Sequence, residues 1–250
     1  MIDKLIHRAL SVAGDIKTTD VRAGLGYTAV LLEGGRCGLA YTFRSEMGGG
    51  CGILDSAGKL VGIEAKEIIP WAKDSHRLRA ALGLAAINAV LNDPQREWEK
   101  GNVLSAFHLK KTETFGMIGM FPPILEKVRT MTENIYVFER EVAPGSELYP
   151  PSSIPQYLPK CDVAVLTATT LINQTFHQVS KHLKNAGEVC LVGPSTPLCP
   201  DLMREPCRYD VRRTADNRRN TAQGIRGKQV LYDCGIKDYT RPARKCAYSG

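Results

Sequence analysis

Long hydrophobic runs are missing from this sequence. Nothing in its 250 residues approaches the roughly 20 consecutive apolar positions that a spanning helix requires, so no membrane partner is expected. Residues 1–13 carry Asp3, Lys4, His7 and Arg8 among their apolar positions, which reads as an amphipathic helix and not as a secretory leader. Metal-ligand spacing is equally scarce. There is no Cys-x-x-Cys and no His-x-x-x-His, and the nearest two cysteines are Cys199 and Cys207. Spacing alone therefore supports no structural metal site. Without an export signal, the eight cysteines read as reduced thiols of a cytoplasmic protein. Nucleophile signatures are lacking too. Pro194 and Pro197 replace the flanking pattern that a nucleophile elbow would need around Ser195, and no Ser–His–Asp arrangement is readable.

The net charge of +7 is unevenly distributed. Residues 1–203 hold 21 basic and 21 acidic side chains, whereas residues 204–250 hold 12 basic and 5 acidic, so the whole excess lies in the last segment. That segment has few aromatics, little periodicity and no recognisable nucleic-acid module, so nucleic acid is not an expected partner. It reads as a solvated basic tail.

What is present is a succession of strands and helices. Asp20–Leu32 alternates loosely, Glu33-Gly-Gly-Arg-Cys-Gly38 is a turn cluster, and Leu39–Arg44 resumes as a strand, giving a hairpin with a longer loop. Met47–Gly52 reads as a mobile glycine-rich loop. Leu78, Ala81, Leu82, Ala85, Ala86, Ala89 and Val90 recur at helical spacing, with Ser75 as N-cap and Asn92-Asp-Pro94 as the stop. Asn88, near the apolar face of that helix, reads as a buried amide. From Thr112 onward strands alternate with helices. The strands are Glu113–Ile118, Asn134–Phe138, Asp162–Thr167 and Glu188–Val192. One helix opens at Phe121-Pro-Pro, and another spaces Ile172, Phe176, Val179 and Leu183 along one face. This alternation predicts a parallel, Rossmann-like sheet. The polar stretch Gly101–Lys111 is the natural boundary between two domains.

Open α/β sheets bind ligands beyond the carboxyl ends of their strands, which directs attention to the loops there. Thr167, Thr169, Thr170, Asn173 and Thr175 gather more hydrogen-bonding groups around one helix start than capping requires. Gly193-Pro-Ser195-Thr196-Pro197 would lie beside them if the two strands are neighbours. Gly116-Met-Ile-Gly119-Met-Phe121-Pro-Pro stands where a dinucleotide fingerprint would, and Glu139 follows at the end of the next strand, where a ribose-binding acid belongs. The third glycine is absent, however, and Pro122 and Pro123 remove two N–H donors. A bare structural turn and a solvated glutamate explain the same residues. Cys190 reads as strand core, and His177 and His182 as surface positions on different helix faces.

Four blocks carry a resemblance. Val21–Arg44 (VRAGLGYTAVLLEGGRCGLAYTFR), Leu82–Leu91 (LGLAAINAVL), Asp162–Phe176 (DVAVLTATTLINQTF) and Val192–Pro200 (VGPSTPLCP) resemble, in order, the putative heavy-metal chelation family. The resemblance extends to about Met203 and implies an enolase N-terminal-like α+β domain over residues 1–105. A Rossmann-like α/β domain would follow over 106–250, with 204–250 a weakly matching, atypical basic tail. Either this branch has a distinct tail or the reading frame shifts near Met203. The resemblance further implies a cleft between the domains lined by Gly119, Phe121, Glu139, Thr167, Thr169, Thr170, Asn173, Gly193, Ser195 and Thr196. The ligand it implies is a heavy-metal ion or an anionic metal chelate or metallocofactor precursor. An enzyme using a nucleotide-like cofactor at the strand ends and an interaction module docking an acidic partner through the basic tail are the alternatives. A homodimer is the assembly expected.

Overall fold

A computed structural model of the chain describes residues 1–46, 54–92, 103–105 and 107–199. The glycine-rich loop, the basic tail and part of the expected domain boundary lie outside the described residues. The chain opens with helix α1 (Ile2–Ala13), followed by strands β1 (Thr18–Ala23), β2 (Tyr27–Leu32) and β3 (Cys37–Tyr41). These pair antiparallel in the order β1-β2-β3. The sequence predicts one alternating stretch over Asp20–Leu32, but the structure splits it. Gly24 and Gly26 bracket a reversal, closed by the Gly24 N–H donating to the Tyr27 carbonyl at 2.8 Å.

A short helix α2 (Ala65–Ile68) and a 3-10 turn lead into α3 (Arg77–Leu91). Twelve of the fifteen α3 residues are buried, so the helix is enclosed nearly all round. Its closeness to β3 depends on Gly38, where a Cβ would stand 2.0 Å from the Ala85 carbonyl oxygen. Gly83 does the same on the other side, against the backbone of Ala72. Asn88 is fully buried and donates its Nδ2 to the Leu39 carbonyl at 2.8 Å, holding helix to strand. Ser75 is not the cap of this helix. The N-cap is His76, and the Asp74 carboxylate accepts the His76 N–H at 2.9 Å.

The second half is a parallel sheet. Strand β4 (Phe115–Ile118) and helix α4 (Pro122–Val128) precede β5 (Ile135–Phe138), helix α5 (Ile154–Tyr157) and β6 (Val163–Thr167). Helices α6 (Thr169–Ile172) and α7 (Phe176–Ser180) then lead to β7 (Glu188–Val192). The strand order is β5-β4-β6-β7, all parallel. Alternate residues serve opposite faces. Phe115, Met117, Val163 and Val165 pack with Ile124 and Val128 on one side. Ile118, Ala164 and Leu166 join a single core on the other side that continues into α1 and α3. Burial on both faces is why these strands are unbroken apolar runs. The fold is thus α/β, with an antiparallel and a parallel sheet. Among the described residues no helix is long and apolar enough to cross a membrane.

The single helix predicted after β6 is interrupted. Gln174 takes a left-handed φ of 63°, and Asn173 Oδ1 accepts both the N–H of Thr175 at 3.1 Å and its hydroxyl at 2.7 Å. Gln174 Nε2 in turn donates to the carbonyls of Lys73 and Asp74, both at 3.1 Å, tying the bend to the start of α3.

Candidate functional site

Because the chain runs from β4 outward to β5 and then returns to β6 on the other flank, the loops after β4 and β6 diverge at the carboxyl edge. A cavity of about 640 Å³ opens there. Its floor comes from the strand ends: Ile118, Gly119, Phe138, Glu139, Thr167 and Gly193. Tyr27, Tyr41 and Phe43 of the antiparallel sheet and its exit face them, together with Arg77 at the first turn of α3.

Nine of the ten sequence-predicted site residues line this cavity. They are Gly119, Phe121, Glu139, Thr167, Thr169, Thr170, Asn173, Gly193 and Ser195. Thr196 is not in the lining. It is 7% exposed, and its Oγ1 is buried without a hydrogen-bond partner among the described residues. Ser195 is also nearly enclosed, and its Oγ accepts the N–H of Tyr41 at 2.8 Å, fastening the loop after β7 to the end of β3.

The threonine cluster is wired internally. The Thr167 and Thr169 hydroxyls are 3.0 Å apart, and the Thr170 hydroxyl donates to the Thr167 carbonyl at 2.7 Å. Gly119 sits against this cluster with φ of +79°, and a Cβ there would come within 2.8 Å of Thr167 Cγ2. Only glycine meets both demands.

The turn between β4 and α4 offers few amide donors. Gly119 N–H donates to the Phe138 carbonyl at 2.9 Å, Met120 N–H to Glu139 Oε2 at 2.9 Å, and Phe121 N–H to Met117 Sδ at 3.4 Å. Pro122 and Pro123 have none to give. Glu139 Oε1 accepts the Arg140 N–H at 2.8 Å, so both oxygens of this carboxylate are already met by backbone amides.

Sequence reasoning missed the basic side of the cavity. Arg77 and Arg140 both line it and converge on Glu46. Arg77 Nε donates to Glu46 Oε2 at 2.8 Å, and Arg140 Nη1 donates to Oε1. Burial pushes the Glu46 carboxyl up, but the two guanidinium hydrogen bonds and charges outweigh it and hold it below its ordinary value. The Arg140 guanidinium also lies 5.8 Å from the centre of the Phe43 ring, which meets Tyr41 edge-on at 5.1 Å. His182, expected at the surface, is half-buried and lines the cavity beyond α7. Each of these residues reaches the cavity through long-range folding, and no local pattern announces it.

Metal-binding chemistry finds little support in the donor set. Among the described residues there is no group of three or more His, Cys, Asp or Glu side chains able to hold a metal ion. The cavity offers hydroxyls, the primary amides of Asn173 and Gln178, guanidinium groups, the Glu139 carboxylate and an imidazole. Those groups suit an organic anion better than a bare heavy metal, which prefers thiolate.

Two family models match, both described as "Putative heavy-metal chelation". One covers residues 2–91 and the other, DUF364, residues 102–209. An uncharacterised protein of Methanocaldococcus jannaschii is 28% identical over 215 residues, 82% of each chain. Two crystal structures of DUF364-family proteins of unknown function superpose on this chain, each with a TM-score of 0.70. The protein from Desulfitobacterium hafniense DCB-2 is 24% identical, covering 82% of this chain and 81% of its own. The protein from Pyrococcus horikoshii is 26% identical, covering 82% and 83%.

Proposed function

The chain belongs to the putative heavy-metal chelation family, and on that footing we propose that the cavity between its two sheets binds an anionic metal chelate or metallocofactor precursor. One observation carries the reading. The cavity pairs aromatic and aliphatic walls with guanidinium, hydroxyl and amide donors, while the described residues provide no cluster of metal ligands. A metal bound here would therefore arrive with its own ligands, and the protein would recognise the organic shell. A volume of about 640 Å³ is in the range that encloses a small organic ligand.

A nucleotide-like cofactor is the second reading, supported by the position of Glu139 at the end of β5 within the lining. Against it, both Glu139 oxygens and the amides of Gly119, Met120 and Phe121 are already engaged. A pyrophosphate at this turn would have to displace them.

One experiment separates the two. Untagged protein, isolated without chelators, is measured by native mass spectrometry and elemental analysis. A retained mass that includes a metal together with an organic portion is the expected result. A metal-free nucleotide mass would favour the second reading. Protein that retains no ligand, and shows no thermal shift with any metal complex tried, would refute the proposal.

A further inference from the structure

Glu46, Arg77 and Arg140 come from three separate places: the 3-10 turn after β3, the first residue of α3, and the residue two past β5. Each oxygen of the one carboxylate takes one guanidinium. A guanidinium has five N–H donors, so most of the hydrogen-bonding capacity of the pair is left over among the described residues. One carboxylate also neutralises only one of the two positive charges. The carboxylate that does line the cavity, Glu139, is turned onto the amides of Met120 and Arg140. Directly beside Arg140 stands the Phe43 ring, with the Tyr41 edge against it. Planar, delocalised guanidinium groups recognise carboxylates in paired geometry and stack on flat rings.

We propose that Arg77 and Arg140, yoked by Glu46, form the acid-recognition end of the cavity, and that its ligand presents a carboxylate there from a planar, largely apolar body. Glu46 holds the two side chains at fixed spacing before the ligand arrives, which lowers the ordering cost of binding. The proposal deepens the metal-chelate reading and rests on the cavity being a ligand site.

The test uses the full chain and three probes in isothermal titration: pyridine-2,6-dicarboxylate, its nickel(II) complex, and the neutral isostere pyridine-2,6-dimethanol. The dicarboxylate is expected to bind roughly 10-fold or more tightly than the dimethanol. Arg140→Gln should weaken the dicarboxylate by roughly 10- to 100-fold and leave the dimethanol unchanged. Arg129→Gln, which breaks a surface pair with Glu147 outside the cavity lining, should change nothing. Arg77→Gln should behave like Arg140→Gln. Arg77 starts the central helix and its variant can fail to fold, so Arg140, whose side chain is 54% exposed, carries the decisive comparison. Equal affinity for dicarboxylate and dimethanol, an undiminished Arg140→Gln variant, or no dicarboxylate binding up to about 10 mM would each overturn the inference. The nickel arm keeps the two readings apart. A complex that binds no better than the free dicarboxylate sinks the metal-chelate function while leaving the arginine pair intact. A tightly bound complex that is indifferent to both arginine variants does the reverse.

Discussion

Replacing Gly119 by alanine probes the floor of the cavity directly. The backbone there has φ of +79°, where an L-residue costs about 1–2 kcal/mol. The new Cβ would also stand 2.8 Å from Thr167 Cγ2, closer than two carbon atoms approach. Thr167 must then leave its rotamer, at about 0.5–1.5 kcal/mol, and stretch the 3.0 Å contact between its hydroxyl and that of Thr169. The total expected loss is about 2–4 kcal/mol. Urea unfolding followed by circular dichroism measures it. The steric part can be separated from the backbone part with Thr167→Ser, which removes Cγ2 and keeps the hydroxyl. In that background Gly119→Ala should cost about 1 kcal/mol less, because only the 3.1 Å approach to Cβ persists. If Gly119→Ala costs under about 0.5 kcal/mol, or the same in both backgrounds to within about 0.3 kcal/mol, the packing argument is wrong.

Two further outcomes follow from the carboxylates. Glu46 has its folded-state value lowered, so its contribution is complete above the ordinary value of 4.5 and is lost as pH falls through the folded value. Glu46→Gln should therefore melt a few degrees below the parent near pH 7, roughly 1 kcal/mol, and the gap should narrow as the pH falls below the ordinary value of 4.5 and through the folded one; a gap independent of pH would contradict the ion-pair account. Glu188 has the opposite sign: burial, and then repulsion from Glu113, push its carboxyl up despite the hydrogen bond from the His108 N–H at 3.1 Å. Its ionisation costs stability once pH rises past the folded value, so Glu188→Gln, whose carbonyl can still accept that bond, should raise the melting temperature near pH 7 and lose the advantage by about pH 4; a lower melting temperature near pH 7 would show that the hydrogen bond needs the charge.

The parallel sheet was legible because burial on both faces leaves continuous apolar runs such as Val163–Thr167, and crossover helices separate them. Helix α3 was legible from its spacing of Leu and Ala. Two local features were not. The reversal at Gly24–Gly26 hides inside an alternating pattern that continues on both sides of it. The break between α6 and α7 depends on Asn173 accepting two bonds from Thr175, while the apolar stripe runs through it uninterrupted. In the cavity, Thr167, Thr169 and Gly193 could be located because strand ends mark themselves with polar loops. Glu46 and its partners could not, since Arg77 lies 31 and Arg140 94 positions away along the chain. Such pairings exist only once both sheets are in place.

Arg77 springs from a helix wedged between the Gly38 and Gly83 contacts, whereas Arg140 begins an exposed loop that runs to Tyr149. The pair proposed to recognise an acid is therefore unequally supported, one member on a packed helix and the other at the mouth of a loop, with Glu46 setting the spacing between them. Lengthening or trimming the stretch after Arg140 would reshape one side of the cavity without disturbing the central helix.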